Sequence, residues 1–70
     1  MCAIRISVCG DGELYSRLSK SIPDENIIFH YVKHNTNNIE ITYIVKELLL
    51  DAQLLSDITY YDGTLDVVDT

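Results

Sequence analysis

The segment between the first predicted strand and the first predicted helix carries residue types that are used to bind phosphate. Gly10-x-Gly12 matches the beginning of a dinucleotide-binding fingerprint. The third glycine position of that fingerprint is occupied by Tyr15, and no P-loop lysine follows. Asp11 and Glu13 also bring two negative charges to the helix end where a phosphate would lie. We therefore expect a capped turn here and no bound cofactor.

Two histidines and one carboxylate form a second candidate site, whose chemistry would be metal binding or acid–base catalysis. His30 and His34 lie on one predicted strand and share a face, but the strand rise separates them by about 13 Å, too far to share a metal ion. Glu40 lies diagonal to His34 in the predicted hairpin and could pair with it. The spacing favours an exposed sheet face, so we expect neither a metal site nor a catalytic group.

Cys2 and Cys9 are the remaining residues with reactive side chains. A strand between them holds their Cα atoms about 23 Å apart, whereas a disulfide requires Cα atoms within about 7 Å. No CxxC pair is present. The sequence therefore predicts two free thiols in a reducing compartment.

Hydrophobic periodicity predicts the elements that position these residues. The alternation of apolar and polar residues from Ala3 to Cys9 is typical of a half-buried strand that ends at Gly10. Asp11 can cap a helix that runs to about Ser21 and is closed by Pro23. The apolar positions at helical spacing are Leu14, Leu18 and Ile22.

Two further runs, Asn26 to His34 and Asn38 to Val45, predict a β-hairpin. Pairing His34 with Asn38 leaves a three-residue loop and separates apolar from polar side chains. The apolar face would carry Ile27, Phe29, Tyr31, Ile39, Ile41, Tyr43 and Val45. The other face would carry His30, Val32, His34, Glu40 and Thr42.

A second helix is predicted over Lys46 to Ser56, from its strong helix formers. Leu48, Ala52 and Leu55 form one apolar stripe on it, which suffices to cover a sheet. Leu50 and Leu54 form a second stripe, which is either deep core or a subunit contact. The tail is predicted as another hairpin, Ile58 to Tyr61 and Thr64 to Val68, around the Asp62-Gly63 turn.

Together these elements predict one compact domain over residues 1–70 with an α+β fold. The expected order is β-α-β-β-α-β, the split βαβ pattern, in which two helices cover one face of an antiparallel sheet. A chain of 70 residues buries little surface on its own, so we expect it to form a homo-oligomer. The absence of a long apolar run and of signal-peptide features at the first residues predicts a cytoplasmic protein without membrane contact.

The net charge of −6 comes entirely from residues 36–70, where seven acids accompany Lys46 alone. Such a surface repels phosphate and attracts cationic proteins over roughly 8 Å at physiological salt. The alternative is that the acids only solvate a small apolar domain. The residues predicted to contact a partner are Glu47, Asp51, Asp57, Tyr60, Tyr61, Asp62, Asp66 and Asp69.

The function favoured by this charge pattern is non-enzymatic binding to a protein partner with a basic, nucleic-acid-binding surface. In composition alone the chain resembles the small inhibitors that viruses and mobile elements direct at nucleic-acid-handling proteins. Direct binding of nucleic acid is not expected, because Tyr60 and Tyr61 lie among acids rather than among arginines or lysines. The alternative function is a small homo-oligomeric ligand-binding or regulatory domain.

Overall fold

The computed structural model describes residues 1–70 and contains four strands and two helices. The elements are β1 (Cys2–Gly10), α1 (Gly12–Ser21), β2 (Ile27–His34), β3 (Ile39–Val45), α2 (Ala52–Tyr60) and β4 (Thr64–Asp69), with a single turn of 3-10 helix at Asp24–Asn26. All strand pairs are antiparallel, and the sheet order is β2-β3-β1-β4. The predicted α+β class is confirmed. Neither helix has the length and apolar character needed to cross a membrane.

The first strand and helix form as their periodicity predicts. The Asp11 carboxylate caps α1 by accepting a hydrogen bond from the Leu14 N–H at 2.8 Å. The helix ends where the Ile22 N–H donates to the Leu18 carbonyl at 3.0 Å, one residue before Pro23. The predicted cap, the predicted helix and the predicted strand before them are therefore confirmed.

One hydrophobic core lies between the sheet and both helices. It is built from side chains of β1, α1, β3 and α2, together with the residue that ends α1. Its buried members are Ile6, Val8, Leu14, Leu18, Ile22, Ile41, Tyr43, Val45, Leu54 and Ile58. Since successive side chains of a strand alternate between faces, both helices cover the same face of the sheet. The opposite face has no covering element.

The predicted β2–β3 hairpin is present, but its predicted register is wrong. His34 pairs with Ile39 rather than with Asn38, so the loop has four residues, 35–38. The Asn35 N–H donates to the Asn38 carbonyl at 2.9 Å, and the Asn35 amide donates to the Asn38 side-chain oxygen at 3.0 Å. These hydrogen bonds close the longer loop, which hydrophobic segregation alone disfavoured.

The shift by one residue reverses the faces predicted for most of β2. His30 and Val32 now stand opposite Tyr43 and Ile41 on the core side, while Phe29 and Tyr31 point to the uncovered face and are about half exposed. A β-bulge between Ile27 and Phe29 lets Ile27 still pair with Val45.

Aromatic stacking makes His30 compatible with the core side of the sheet. Its ring lies parallel to that of Tyr43, with centroids 4.4 Å apart, and also stacks on Tyr15 at 5.9 Å. The imidazole thus covers buried Tyr43 at the sheet edge, a place that the sequence pattern assigned to an apolar residue.

The second helix begins six residues later than predicted, at Ala52, with Asp51 as its cap. The preceding chain is held by Asn26 instead. The Lys46 N–H donates to the Asn26 carbonyl at 2.9 Å, the Glu47 N–H donates to the Asn26 side-chain oxygen at 3.0 Å, and the Asn26 amide donates to the Glu47 carbonyl at 2.8 Å. The bond to the Glu47 carbonyl takes an acceptor that the first turn of a helix starting at Lys46 would use.

The predicted hairpin in the tail is also wrong, because Ile58 and Tyr60 belong to α2 and only β4 follows. Burial of Leu54 and Ile58 on one helical face outweighs the β-propensity of this segment. The Asp62-Gly63 turn joins a helix to a strand. A Cβ at Gly63 would lie 2.7 Å from the Ile58 side chain and 2.9 Å from the Ser7 carbonyl, so only glycine fits this contact.

We predict that Asn26→Asp destabilises the fold by about 2–3 kcal/mol at pH 7, since a buried carboxylate cannot donate to the Glu47 carbonyl. A protonated carboxyl can both donate and accept, as the amide does. Burial would raise the pKa of the introduced carboxyl above its unfolded value of about 3.9. The free energy that the protonated carboxyl contributes to folding is therefore fully present below that unfolded pKa. It is lost as pH rises through the folded pKa.

Urea unfolding at about pH 3 and pH 7, each compared with the unmodified chain at the same pH, measures this recovery. Asn38→Asp adds the same charge in an exposed loop and should show neither the loss nor the recovery. A deficit of Asn26→Asp that is equal at both pH values would contradict the proposed role of the amide.

Candidate functional site

The eight residues predicted to contact a partner do not form one surface. Asp51 caps the start of α2 and Asp62 follows its end, so about 14 Å of helix separates them. Glu47 lies beside Asn26, while Asp66 and Asp69 lie along β4. Asp57, Tyr60 and Tyr61 are the predicted residues that the structure brings together in one cleft.

Two of the predicted acids form ion pairs with cations of the first half of the chain. Asp57 accepts a hydrogen bond from Arg17, and Asp66 lies 3.3 Å from Arg5. The sheet and the helix pair place these residues side by side although 40 and 61 positions separate them. The excess of negative charge in residues 36–70 therefore does not become a single uninterrupted negative surface.

Two clefts meet at the end of the molecule where α1 begins and α2 ends. The helix-end cleft has a volume of about 270 Å³ and is lined by Asp11, Glu13, Leu14, Arg17, Asp57, Tyr60 and Tyr61. The sheet-end cleft has a volume of about 330 Å³ and is lined by Ser7, Val8, Cys9, Glu40, Ile41, Thr42, Tyr61, Asp62 and Thr64. Five carboxylates and one guanidinium line the two clefts, so this end is strongly acidic.

Tyr61 lies between the two clefts and is fixed by Asp11. Its hydroxyl donates to Asp11 Oδ2 at 3.0 Å, while Asp11 Oδ1 accepts the hydrogen bond from the Leu14 N–H. The Leu14 N–H, and next the Tyr61 hydroxyl, lower the pKa of Asp11 below its ordinary value. The same hydrogen bond raises the pKa of Tyr61, because it stabilises the protonated phenol beside a carboxylate. Asp11 thus joins the start of α1 to the end of α2.

Tyr60 stands at the rim of the helix-end cleft with 81% of its surface exposed. Its ring meets that of Tyr61 edge-on, with centroids 5.2 Å apart and an angle of 87° between the planes. Edge-to-face contact is a favourable arrangement for aromatic rings. Tyr60 is therefore an exposed aromatic side chain supported by a second, hydrogen-bonded one.

Arg17 is the one cation in the helix-end cleft, and its pairing is incomplete. Its Nη2 contacts Asp57, which also accepts a hydrogen bond from the Gln53 amide at 3.1 Å. The hydrogen bond to Asp57 raises the pKa of Arg17. Its Nε is buried without a hydrogen-bond partner, so the guanidinium does not make the bidentate contact that stabilises such pairs most.

The remaining candidate residues are placed as follows. Glu40 stands opposite Lys33 on the uncovered face and accepts a hydrogen bond from the Asn35 amide at 2.8 Å. It therefore does not pair with His34, which points to the core side, and the expected diagonal contact is wrong. No three His, Cys, Asp or Glu side chains converge in a way that could hold a metal ion. Cys2 and Cys9 are exposed free thiols.

Similarity to known proteins gives no assignment. The chain matches no protein-family model. Comparisons with curated proteins and with solved structures also find no match. The geometry of the two clefts is therefore the basis on which a function can be argued.

The contribution of Asp11 and Glu13 to this site was missed by sequence reasoning. The sequence predicts them as a helix cap and part of the first turn, which is correct for α1. Their proximity to Tyr61 depends on how the two helices pack, and 50 positions separate Asp11 from Tyr61. No local pattern in the sequence signals that contact.

We predict that Tyr61→Phe raises the pKa of Asp11 toward its ordinary value of 3.8, because one of its hydrogen-bond donors is removed. The Leu14 N–H remains, so the pKa should stay below that value. NMR titration of the Asp11 carboxyl carbon measures the change. Tyr60→Phe is the matched control, since the Tyr60 hydroxyl makes no hydrogen bond to Asp11.

The same contact should change how stability depends on pH. A carboxyl whose folded pKa is depressed stabilises the fold above its unfolded pKa and loses that contribution as pH falls through the folded pKa. The difference in unfolding free energy between the unmodified chain and Tyr61→Phe should therefore shrink below pH 3.8. An Asp11 pKa that is unchanged in Tyr61→Phe would show that the hydrogen bond does not form in solution.

Proposed function

We propose that this protein is a non-enzymatic binding module that occupies a basic surface of a protein partner with its helix-end cleft. The observation that carries the proposal is the exposed Tyr60 ring, held by Tyr61 at the rim of an acidic cleft. Tyrosine is a frequent anchor of protein interfaces because it offers a broad apolar surface with a polar tip.

The cleft suits an arginine or lysine side chain of the partner. A cation above the face of Tyr60 would gain a cation–π contact, and nearby carboxylates would strengthen it. Glu13 and Asp62 form no ion pair within the chain, so their charges are available to a partner. Asp11 and Asp57 already hold Tyr61 and Arg17 and would act through their charge alone.

The class of partner that fits is a protein that binds nucleic acid through a basic surface. Small viral or mobile-element inhibitors act by occupying such a surface. Carboxylates lining both clefts would repel phosphate, so the protein would meet the nucleic-acid-binding protein rather than the nucleic acid. We place this activity in the cytoplasm, which suits the exposed free thiols of Cys2 and Cys9.

Binding without catalysis is favoured by the way the polar groups of the clefts are engaged. Asp11 is held by its cap and by Tyr61, and the thiol of Cys9 makes no hydrogen bond to a base. We also interpret the fold as the split βαβ pattern, since β3 lies between β1 and β2, and β1 lies between β3 and β4.

We predict that Tyr60→Ala weakens the binding of a fluorescent oligo-arginine peptide by about tenfold, the loss expected for a cation–π anchor. Glu13→Gln should weaken it by about threefold through the loss of one nearby charge. Fluorescence anisotropy at low salt measures both. Glu25→Gln removes the same charge at the other end of α1, beside Pro23 and Lys46, and should change the affinity less.

Equal losses for Glu13→Gln and Glu25→Gln would show that the peptide responds only to net charge, and the cleft would then not be the site. Capture of proteins from the native host, with Tyr60→Ala as the matched bait, extends the test to the natural partner. A partner retained equally by both baits, or equally at low and high salt, would contradict the proposal.

We predict that Arg17→Gln lowers the stability of the fold but tightens peptide binding. The ion pair with Asp57 is lost, and urea unfolding measures the resulting loss of stability. The freed Asp57 carboxylate can then contact the peptide, and we expect about a threefold gain in affinity. The internal arginine and the partner's cation thus compete for the same carboxylate.

Arg5→Gln is the control for this prediction. It removes the same charge from the ion pair with Asp66, which lies on the sheet outside both clefts. It should change the net charge identically without comparable gain in affinity. Similar gains for the two variants would exclude direct competition at Asp57.

A further inference from the structure

Strand β4 lies at one edge of the sheet, and no other strand of the chain pairs with its outer side. It pairs with β1 alone, and its side chains Leu65 and Val67 point to the helix-bearing face beside Ile6 and Ile4. Ile6 is fully buried, but its neighbour Leu65 is 41% exposed and Val67 is 69% exposed. The helices therefore cover β1 and leave the apolar side of β4 open.

The two edges of the sheet differ in how they resist further strand pairing. The β2 edge carries a bulge between Ile27 and Phe29, and Lys33 lies near its end. Both devices discourage the addition of another strand. The β4 edge pairs without a bulge along its length and contains neither lysine nor proline. Its only protection is the charge of Asp66 and Asp69.

The positions of those two carboxylates decide which symmetric pairing is possible. In an antiparallel pair, opposed residues lie on the same face of the sheet. When the two strands are identical, the two-fold axis must therefore pass midway between the two copies of one residue, which is called the centre here. A centre on Asp66 would oppose two carboxylates. A centre on Val67 opposes Leu65 to Asp69 and Asp66 to Val68, so no carboxylate faces another. Centres on Leu65 and on Val68 also avoid opposed carboxylates, but each pairs three residues of β4, whereas the centre on Val67 pairs five.

We propose that two copies of this chain associate by antiparallel pairing of their β4 strands, centred on Val67, into one eight-stranded sheet. The pairing places the two Val67 side chains against each other on the helix-bearing face, which accounts for their exposure in the single chain. Asp66 remains beside Arg5 of its own chain, so this carboxylate is already neutralised where the copies meet.

The chemistry of this interface makes it weak and dependent on salt. A single strand pair buries less than the roughly 1,200 Å² of a standard stable interface, so the dimer should form in a concentration-dependent way. Each copy carries a net charge of −6, so salt should strengthen association by screening. A basic partner in the helix-end cleft would respond to salt in the opposite way.

Cysteine cross-linking tests the pairing and its register. In a Cys2→Ser, Cys9→Ser background, Val67→Cys would bring two thiols onto strands whose opposed Cα atoms lie about 4.5–5.5 Å apart, within disulfide range. Leu65→Cys is the matched control, because its two copies would lie about 14 Å apart along the strands. With oxidised glutathione, Val67→Cys should form covalent dimer at least about tenfold faster than Leu65→Cys. Equal rates would overturn the register.

Sedimentation of the unmodified chain tests the association itself. Dimer should increase with protein and salt concentration, and Val67→Lys should abolish it by opposing two ammonium groups. Circular dichroism checks that this variant stays folded, as expected for an exposed side chain. A monomer at every concentration would overturn the proposal. So would a folded Val67→Lys that still dimerises, which would indicate another surface, such as the uncovered face with Phe29 and Tyr31. Tyr60→Ala should dimerise normally.

Discussion

Asn26 determines where the chain leaves the sheet, and the rest of the architecture depends on that exit. Its backbone and side chain together satisfy the N–H groups of Lys46 and Glu47 and the Glu47 carbonyl. This side chain, almost completely buried, replaces a missing strand partner just beyond β3. The second helix begins at Ala52, with Asp51 as its cap, and its last turn reaches the start of α1. That turn brings Asp57, Tyr60 and Tyr61 to the helix-end cleft.

The contact between Asp11 and Tyr61 joins the start of α1 to the end of α2 and so positions the charged residues of the helix-end cleft. It joins residues near opposite ends of the chain and brings carboxylates of both halves to one end of the molecule. Arg17 and Arg5 meanwhile neutralise Asp57 and Asp66. The packing of helices and strands therefore determines where negative charge lies on the surface. The sequence alone places the excess of acidic residues in positions 36–70.

Local sequence patterns predicted β1 and the capped helix after it, because alternation and a capping residue can be read from neighbouring residues. The Asp62-Gly63 turn was expected to close a hairpin and instead joins α2 to β4. The hairpin register and the start of α2 could not be read in this way, because side chains of Asn35 and Asn26 decide them by hydrogen bonds. The sequence predicts Tyr60 and Tyr61 as contact residues, but their acidic neighbours from α1 follow from tertiary packing alone.

The corner at Gly63 has a consequence for recognition. A Cβ at this corner would clash with the Ile58 side chain and the Ser7 carbonyl, so the end of α2 packs closely against β1 just after the two tyrosines. In the proposed function, close packing at this corner would hold the tyrosines in place before a partner binds, so that little conformational entropy would be lost on docking. A small protein with few contacts can bind usefully when its contact residues are immobilised in this way before the encounter.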